Sequence, residues 1–293
     1  MKKARLEKVI ASIETCLERP LSVTELAQQV HWSRWQVQRT FLACFGYSLG
    51  YYSRCRRLSI AAAALVDTER AILDIAVAAG FETQQSFSRA FSQQFGLSPN
   101  RYRLRGQICD LFPRLDPGVA LSRDGEFKME PKIISHQAKQ LCGLDTRFNA
   151  FGSPDPDAME LLPRLWQQMQ AEVKKQNIAA TVYWGVVDSS TANDQLQGMT
   201  YMAGFEVKPG KSCANLKRFE IPAQTYACYT HQGPLSRIGE TIEAIFRDWL
   251  PASEYRHTGG PELELYDERF AFEHPDSILE YWVPVEKIAA SDR

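Results

Sequence analysis

The sequence predicts a multidomain protein: an all-α first domain made of a double helix-turn-helix, followed by an α+β second domain with an internal pseudo-repeat. Three observations predict it. The apolar period is helical over about the first hundred residues and changes to strand alternation beyond about residue 125. Residues near 39–48 recur about fifty positions later. The charge also divides, with 15 Lys+Arg against 8 Asp+Glu in residues 1–107 and 19 against 27 in the rest, although the chain of 293 residues nets −1. That division, +7 against −8, suits a polyanionic partner for the first domain and a neutral or cationic one for the second.

The elements follow in order. Leu6, Val9, Ile10, Ile13 and Leu17 keep helical spacing until Pro20. Ser22 and Glu25 form an S-x-x-E capping box that opens a short helix through Val30. A new helix starts at Ser33, carries Trp35, Val37, Phe41 and Phe45, and is closed by Gly46. A longer one runs from about Leu49 to Val66, with Arg54, Arg56 and Arg57 near its start. Then the pattern repeats: Arg39, Phe41, Phe45, Gly46 and Ser48 answer to Arg89, Phe91, Phe95, Gly96 and Ser98 at an offset of 50. Upstream, Glu25, Ala27 and Trp32 answer to Asp74, Ala76 and Phe81 at 49, so the extra residue falls in the turn between the two helices. Pro99 is expected to stop the second copy.

Residues 108–126 read as a linker, with Pro113 and Pro117, no periodicity, and a turn at Asp124-Gly125. Strands are expected at Met129–Ser135, Leu141–Phe148, Tyr183–Val187, Met199–Val207, Leu216–Ile221, Thr225–Thr230, Leu263–Phe272 and Ile278–Val285. Helices are expected at Ala158–Gln176 and Leu235–Trp249. The order strand, strand, helix, strand, strand thus occurs twice over 127–286, and 287–293 is a tail.

Composition bounds the function. With 44% hydrophobic and 24% charged residues the chain can build cores and is not disordered overall. No apolar run approaches the roughly 20 residues of a membrane helix, and the basic N-terminus is interrupted by Glu7 and Glu14, unlike a signal peptide. Seven cysteines without a C-x-x-C pair argue for a reducing compartment, against a disulfide framework and against a zinc site. The five histidines show no ligand spacing, and P-loop, dinucleotide and G-x-S-x-G fingerprints are lacking. The expectation is a cytoplasmic protein with no membrane partner, metal or cofactor, and no enzyme.

The segments 32–41 (WSRWQVQRTF) and 80–91 (GFETQQSFSRAF), with 95–103 (FGLSPNRYR) after them, resemble the two recognition helices and the signature of the AraC-type transcription regulators. The MarA, SoxS and Rob group is the most similar, and the order of domains is Rob-like. The resemblance covers about 100 residues and implies double-stranded DNA as partner, with RNA polymerase as a further candidate. Side-chain chemistry agrees. Trp35, Gln38 and Arg39 share one helix face, as do Gln85 and Arg89, with Gln84 beside them. Gln can pair with adenine, Arg with guanine, and Trp35 can meet a thymine methyl in the major groove. A core role for Trp35 is set aside, because Val37, Phe41 and Phe45 already form an apolar face. Arg34, Arg54, Arg57 and Arg101, with Arg56 and Arg103 behind them, are the expected phosphate contacts.

In the second domain, 226–234 (YACYTHQGP), Trp249-Leu250-Pro251, 261–266 (PELELY) and 280–285 (EYWVPV) resemble the GyrI-like small-molecule-binding family. The resemblance implies a groove for a small hydrophobic, often cationic, ligand held by aromatics and a buried carboxylate. It points to Glu264 as counter-ion, with Glu280 second. Alternation puts Glu262, Glu264 and Tyr266 on one strand face. Trp166, Trp184, Tyr201, Tyr281 and Trp282 are candidate walls, joined by Tyr183, Phe205 and Tyr226, since aromatic faces attract cations. Two alternatives stay open: a hydrolase with Glu264 as general base, and a protein-interaction module.

Overall fold

The computed structural model describes residues 2–118, 130–151, 153–207 and 215–288. The Asp124-Gly125 turn, residue 129, Cys213 and the end of the tail lie outside them. In the first domain seven helices follow one another: α1 (Lys2–Thr15), α2 (Val23–Val30), α3 (Arg34–Phe45), α4 (Leu49–Asp67), α5 (Ile72–Ala78), α6 (Gln84–Phe95) and α7 (Pro99–Arg105). The Ser22 hydroxyl and Glu25 complete the capping box reciprocally, and Ser33, Ser48, Thr83 and Ser98 cap the helices they precede. Gly46 and Gly96 end α3 and α6 in the left-handed conformation that glycine tolerates. In the turn between the paired helices, His31 occupies that region at φ 55° where the second copy uses Gly80 at φ 72°.

Each unit has its own core. Leu6, Ile10, Leu26, Val37 and Phe41 fill the first, and Ile75, Phe87, Phe91 and Tyr102 the second. Helix α4 joins them, giving Leu49 and Tyr52 to one and Leu58, Ala62 and Leu65 to the other. Pro99 corrects the expectation placed on it. Gly96 ends α6, and Pro99 occupies the first turn of α7, where its missing N–H is no loss. The segment after α7 is docked on the first domain. Phe112 lies against Tyr47, Tyr51 and Tyr52, its N–H donates to Ser59 Oγ (2.8 Å), and its carbonyl accepts from Arg56 (2.5 Å).

The second domain is an antiparallel sheet with strands β1 (Lys132–His136), β2 (Lys139–Phe148), β3 (Tyr183–Asp188), β4 (Met199–Glu206), β5 (Lys217–Ile221), β6 (Gln224–Gln232), β7 (Tyr255–His257), β8 (Glu262–Tyr266) and β9 (Ile278–Lys287). Their spatial order is β1-β6-β9-β8-β3-β4-β2-β5, with β7 added on β9. The sequence repeat is therefore a spatial one about the central β3–β8 pair. Each half places its strands in mirrored order, and each half's first strand crosses to pair with the other half. Helix α8 (Ala158–Lys175) belongs to the first half. Helix α9 (Ile238–Ala244) belongs to the second and continues through a π-helical turn, Ile245–Trp249, into Leu250–Ala252.

Alternation sorts the sheet residues into two layers. Tyr201, Phe205, Tyr229, Tyr281 and Val283 pack with Leu165, Met169 and Phe246 on the helix side, whereas Trp184, Val186, Met202, Tyr226 and Trp282 form a separate cluster on the other side. The expected strand Leu263–Phe272 stops at Tyr266, because Asp267 turns the chain, accepting from the Arg269 and Phe270 N–H groups, and Phe272 is 70% exposed. Short β7 carries no alternation long enough to announce it. The cysteine expectation also changes: Cys16, Cys44, Cys55, Cys109 and Cys228 are free, but Cys142 is disulfide-bonded. Among the described residues no group of His, Cys, Asp and Glu could hold a metal, and no helix is long and apolar enough to cross a membrane.

Candidate functional site

The two helices that match in sequence sit in different surroundings. On α6, Phe87 and Phe91 point into the core, which leaves Gln84, Gln85 and Arg89 exposed on the outer face. Gln85, Ser86, Arg89, Ala90 and Gln93 line an open surface groove. On α3, Trp35 is 4% exposed and packs into the core of the second domain. Its indole N–H donates to Glu262 at 2.7 Å. The Arg39 guanidinium lies 5.2 Å from the Trp35 ring and 5.1 Å from that of Phe246. Gln38 donates to the Asn193 carbonyl at 3.4 Å, Gln36 accepts from the His257 N–H at 3.0 Å, and Arg34 pairs with Asp194 at 2.9 Å. The view of Trp35 as free of any core role is thus corrected: the core it joins belongs to the other domain.

The basic residues also divide. Arg101 is exposed, and Arg54 is half-buried over the Tyr51 ring. Arg57 holds the turn of the second unit by donating to the Ala79 and Gly80 carbonyls, while Arg56 is bound to Glu14 and Arg103 to the Leu65 and Arg70 carbonyls. These guanidinium groups thus have partners within the fold, and Arg34 has one in Asp194, with its side chain still 46% exposed.

Strand β8 carries two buried carboxyl groups on the helix-side face. Glu264, 9% exposed, accepts from the Tyr201 hydroxyl (2.5 Å) and the Tyr266 hydroxyl (2.7 Å), and the Trp166 indole donates to Tyr201 at 3.1 Å. The Trp166 ring on α8 stands 5.0 Å from Tyr266 and 6.4 Å from Tyr183. Opposite Glu264 on β3 is Gly185, where a Cβ would come within 2.2 Å of the Tyr201 hydroxyl and 2.6 Å of Glu264 Oε2, so only glycine leaves room for this cluster. Burial pushes the Glu264 carboxyl above its ordinary value; the charge of Glu262 adds to this, and the tyrosine hydrogen bonds only partly oppose it.

Glu262, 2% exposed, is set up the other way. Burial acts to raise it, but His257 at 3.3 Å, Arg39 and the donating Tyr281 hydroxyl together hold it below the ordinary carboxylate range.

Trp166, Tyr201 and Tyr183 therefore gather around Glu264, and Tyr281 stands at Glu262. Trp184 and Trp282 do not join them. They lie on the opposite face of the sheet with Tyr226 and His136, because strand neighbours of Tyr183 and Tyr281 must point the other way. Glu280 is also on that side, accepting from Arg269 (2.8 Å) and from Trp282 (3.0 Å). Sequence reasoning missed His257, Gln36, Asn193 and Phe246. Its one available signal was Trp35 itself, since the matching position in the second copy is Gln85.

Comparison with known proteins covers both regions. Residues 129–286 match the GyrI-like small molecule binding domain, and residues 26–105 match a helix-turn-helix domain. Transcriptional regulator Rob of Salmonella typhimurium is 45% identical over 259 residues, and the right origin-binding protein of Escherichia coli K12 is 38% identical over 260; each match spans 87% of both chains. The regulatory protein SoxS of Escherichia coli K12 is 41% identical over 100 residues, 34% of this chain and 94% of that one.

Proposed function

The chain belongs to the Rob-like AraC-type transcription regulators that carry a GyrI-like domain, and from that premise we propose that it reads an asymmetric DNA site through two recognition helices and that its second domain binds a small hydrophobic cation. On the DNA side, Gln84, Gln85 and Arg89 on α6 and Trp35, Gln38 and Arg39 on α3 are the proposed base contacts, with Arg101 and Arg54 as phosphate contacts. Two units in one chain replace the usual dimer, so one chain spans two major-groove segments about one turn apart. RNA polymerase is the proposed partner through which binding becomes regulation, and transcription assays with and without the protein test that.

The observation that carries the effector reading is the Glu264 cluster. A carboxyl group sits among aromatic rings, with its charged form disfavoured by burial. A lipophilic cation stacked on Trp166 and Tyr183 would supply the compensating charge that the site lacks, while an anion would meet the opposite field. The test is calorimetry on the full chain with methyltriphenylphosphonium and the neutral, similarly shaped triphenylphosphine oxide. Glu264→Gln is expected to cost the cation about 2–5 kcal/mol, by analogy with breaking a buried charge pair, and to leave the neutral compound nearly unchanged. Equal losses for both would assign Glu264 to the fold. The same incubation, followed for product, tests the non-enzymatic reading.

A further inference from the structure

One arrangement of the molecule is unexplained by a DNA-binding unit and an effector domain acting side by side: the face of α3 that would enter the major groove is spent on the second domain. We propose that the second domain is an intramolecular cap on the first recognition helix, latched by the Trp35 indole on the Glu262 carboxylate, and that DNA reading through α3 requires the cap to open. The proposal rests on the reading of α3 as a recognition helix.

The sequence repeat supplies the control. At an offset of 50, Arg34, Trp35, Gln36 and Gln38 correspond to Gln84, Gln85, Ser86 and Ser88. The second set is exposed or half-exposed. In the first set every member has a partner across the domain boundary: Asp194, Glu262, the His257 N–H and the Asn193 carbonyl. Each α3 residue with a hydrogen-bonding or charged partner in the second domain thus differs from its counterpart in the second copy, whereas Arg39 and Arg89 are shared by both. Complementarity runs in both directions. Glu262 is buried and needs donors: the Tyr281 hydroxyl comes from its own domain, where His257 Nε2 also lies 3.3 Å away, and the Trp35 indole comes from α3. Phe246, in the π-helical turn, meets both Arg39 and the Trp35 cluster, and such turns recur where a helix serves a function beyond packing. A helix face cannot be pressed on Phe246 and Glu262 and inserted in a DNA groove at once, so the two states exclude each other.

The boundary offers its own lock. A Cβ on Gly50 would stand 3.9 Å from Gln195 Cγ, so α4 and the loop bearing Asp194 touch here, and this is the place to engineer a cross-link between them. In the full chain carrying Gly50→Cys and Gln195→Cys, oxidation is expected to weaken binding to a footprint-defined duplex by about tenfold or more, a change of about 1.4 kcal/mol or more, with full recovery on reduction and no redox effect in the parent. Glu262→Gln, which removes the charge holding the latch, is expected to shift affinity the opposite way. Equal affinity of oxidised and reduced forms would overturn the cap, and so would a pair that never cross-links. If parent and reduced chains alike ignore duplex DNA, the failure lies with the DNA-binding reading.

Discussion

Helices α3 and α6 begin on side-chain caps, end on left-handed glycines, and carry an arginine at matching positions, yet one is covered and the other open. The backbone of the motif and Arg39, Phe41 and Phe45 are common to both; most other side chains differ, among them the ones that α3 turns to the second domain. Trp35 brings apolar area and one N–H to a buried carboxylate, while Gln85 at the corresponding place brings a side chain that water serves as well. A doubled motif is thus not doubled in availability: α3 is covered and α6 is open. In one copy Arg34, Trp35, Gln36 and Gln38 all meet the second domain, with Trp35 the buried aromatic at the centre of the contact.

Substituting the two corresponding residues should separate the helices most. Trp35→Ala removes a ring from a packed core and is expected to cost about 3–5 kcal/mol of stability, while Gln85→Ala, on an open surface, should stay within about 0.5 kcal/mol; denaturant titration of both variants measures the contrast. Equal effects would mean that α3 is as free as α6.

The arginines come next. Arg89→Ala is expected to lose about 1–3 kcal/mol on the specific site and to relax preference at one base position. Arg39→Ala should lose less, because the same change removes the cation lying between Trp35 and Phe246 and so loosens the cap. Binding titrations on specific and random duplexes read both.

Strand β8 holds a second contrast of the same kind. Glu262 is held ionised by its neighbours, while Glu264 is pushed towards its protonated form. Cation binding needs Glu264 ionised, so affinity for methyltriphenylphosphonium should rise with pH through the elevated titration of Glu264, by at most about tenfold per pH unit. Triphenylphosphine oxide, and the cation on the Glu264→Gln chain, should show no such slope. The smallest effect belongs to Asp194→Ala. Its ion pair with Arg34 is half exposed, and its loss should change DNA affinity by at most about 1 kcal/mol.

Local signals made much of this legible. The Ser22–Glu25 box, the glycine stops, the strand order and the placing of Glu262, Glu264 and Tyr266 on one face all follow from short-range rules that the structure obeys. Alternation, however, says that Tyr183 and Trp184 face opposite ways without saying which side meets the helices, and the structure places Trp184, Trp282 and Glu280 on the side away from Glu264. Proline at 99 reads equally as a stop or as a first-turn residue until the serine before it is seen to cap a helix. The Trp35–Glu262 bond joins positions 227 residues apart. No periodicity encodes such a pairing; its only trace was an aromatic residue left over once the core of its own unit was filled.

The most direct test of the capped and open pair is a footprint of the full chain carrying Gly50→Cys and Gln195→Cys, taken oxidised and reduced on one duplex. The reduced chain should protect two major-groove segments about one turn apart, and the oxidised chain only the segment read by α6. Protection of both segments with the cross-link intact would contradict the account, because α3 would then reach its groove with the second domain still in place.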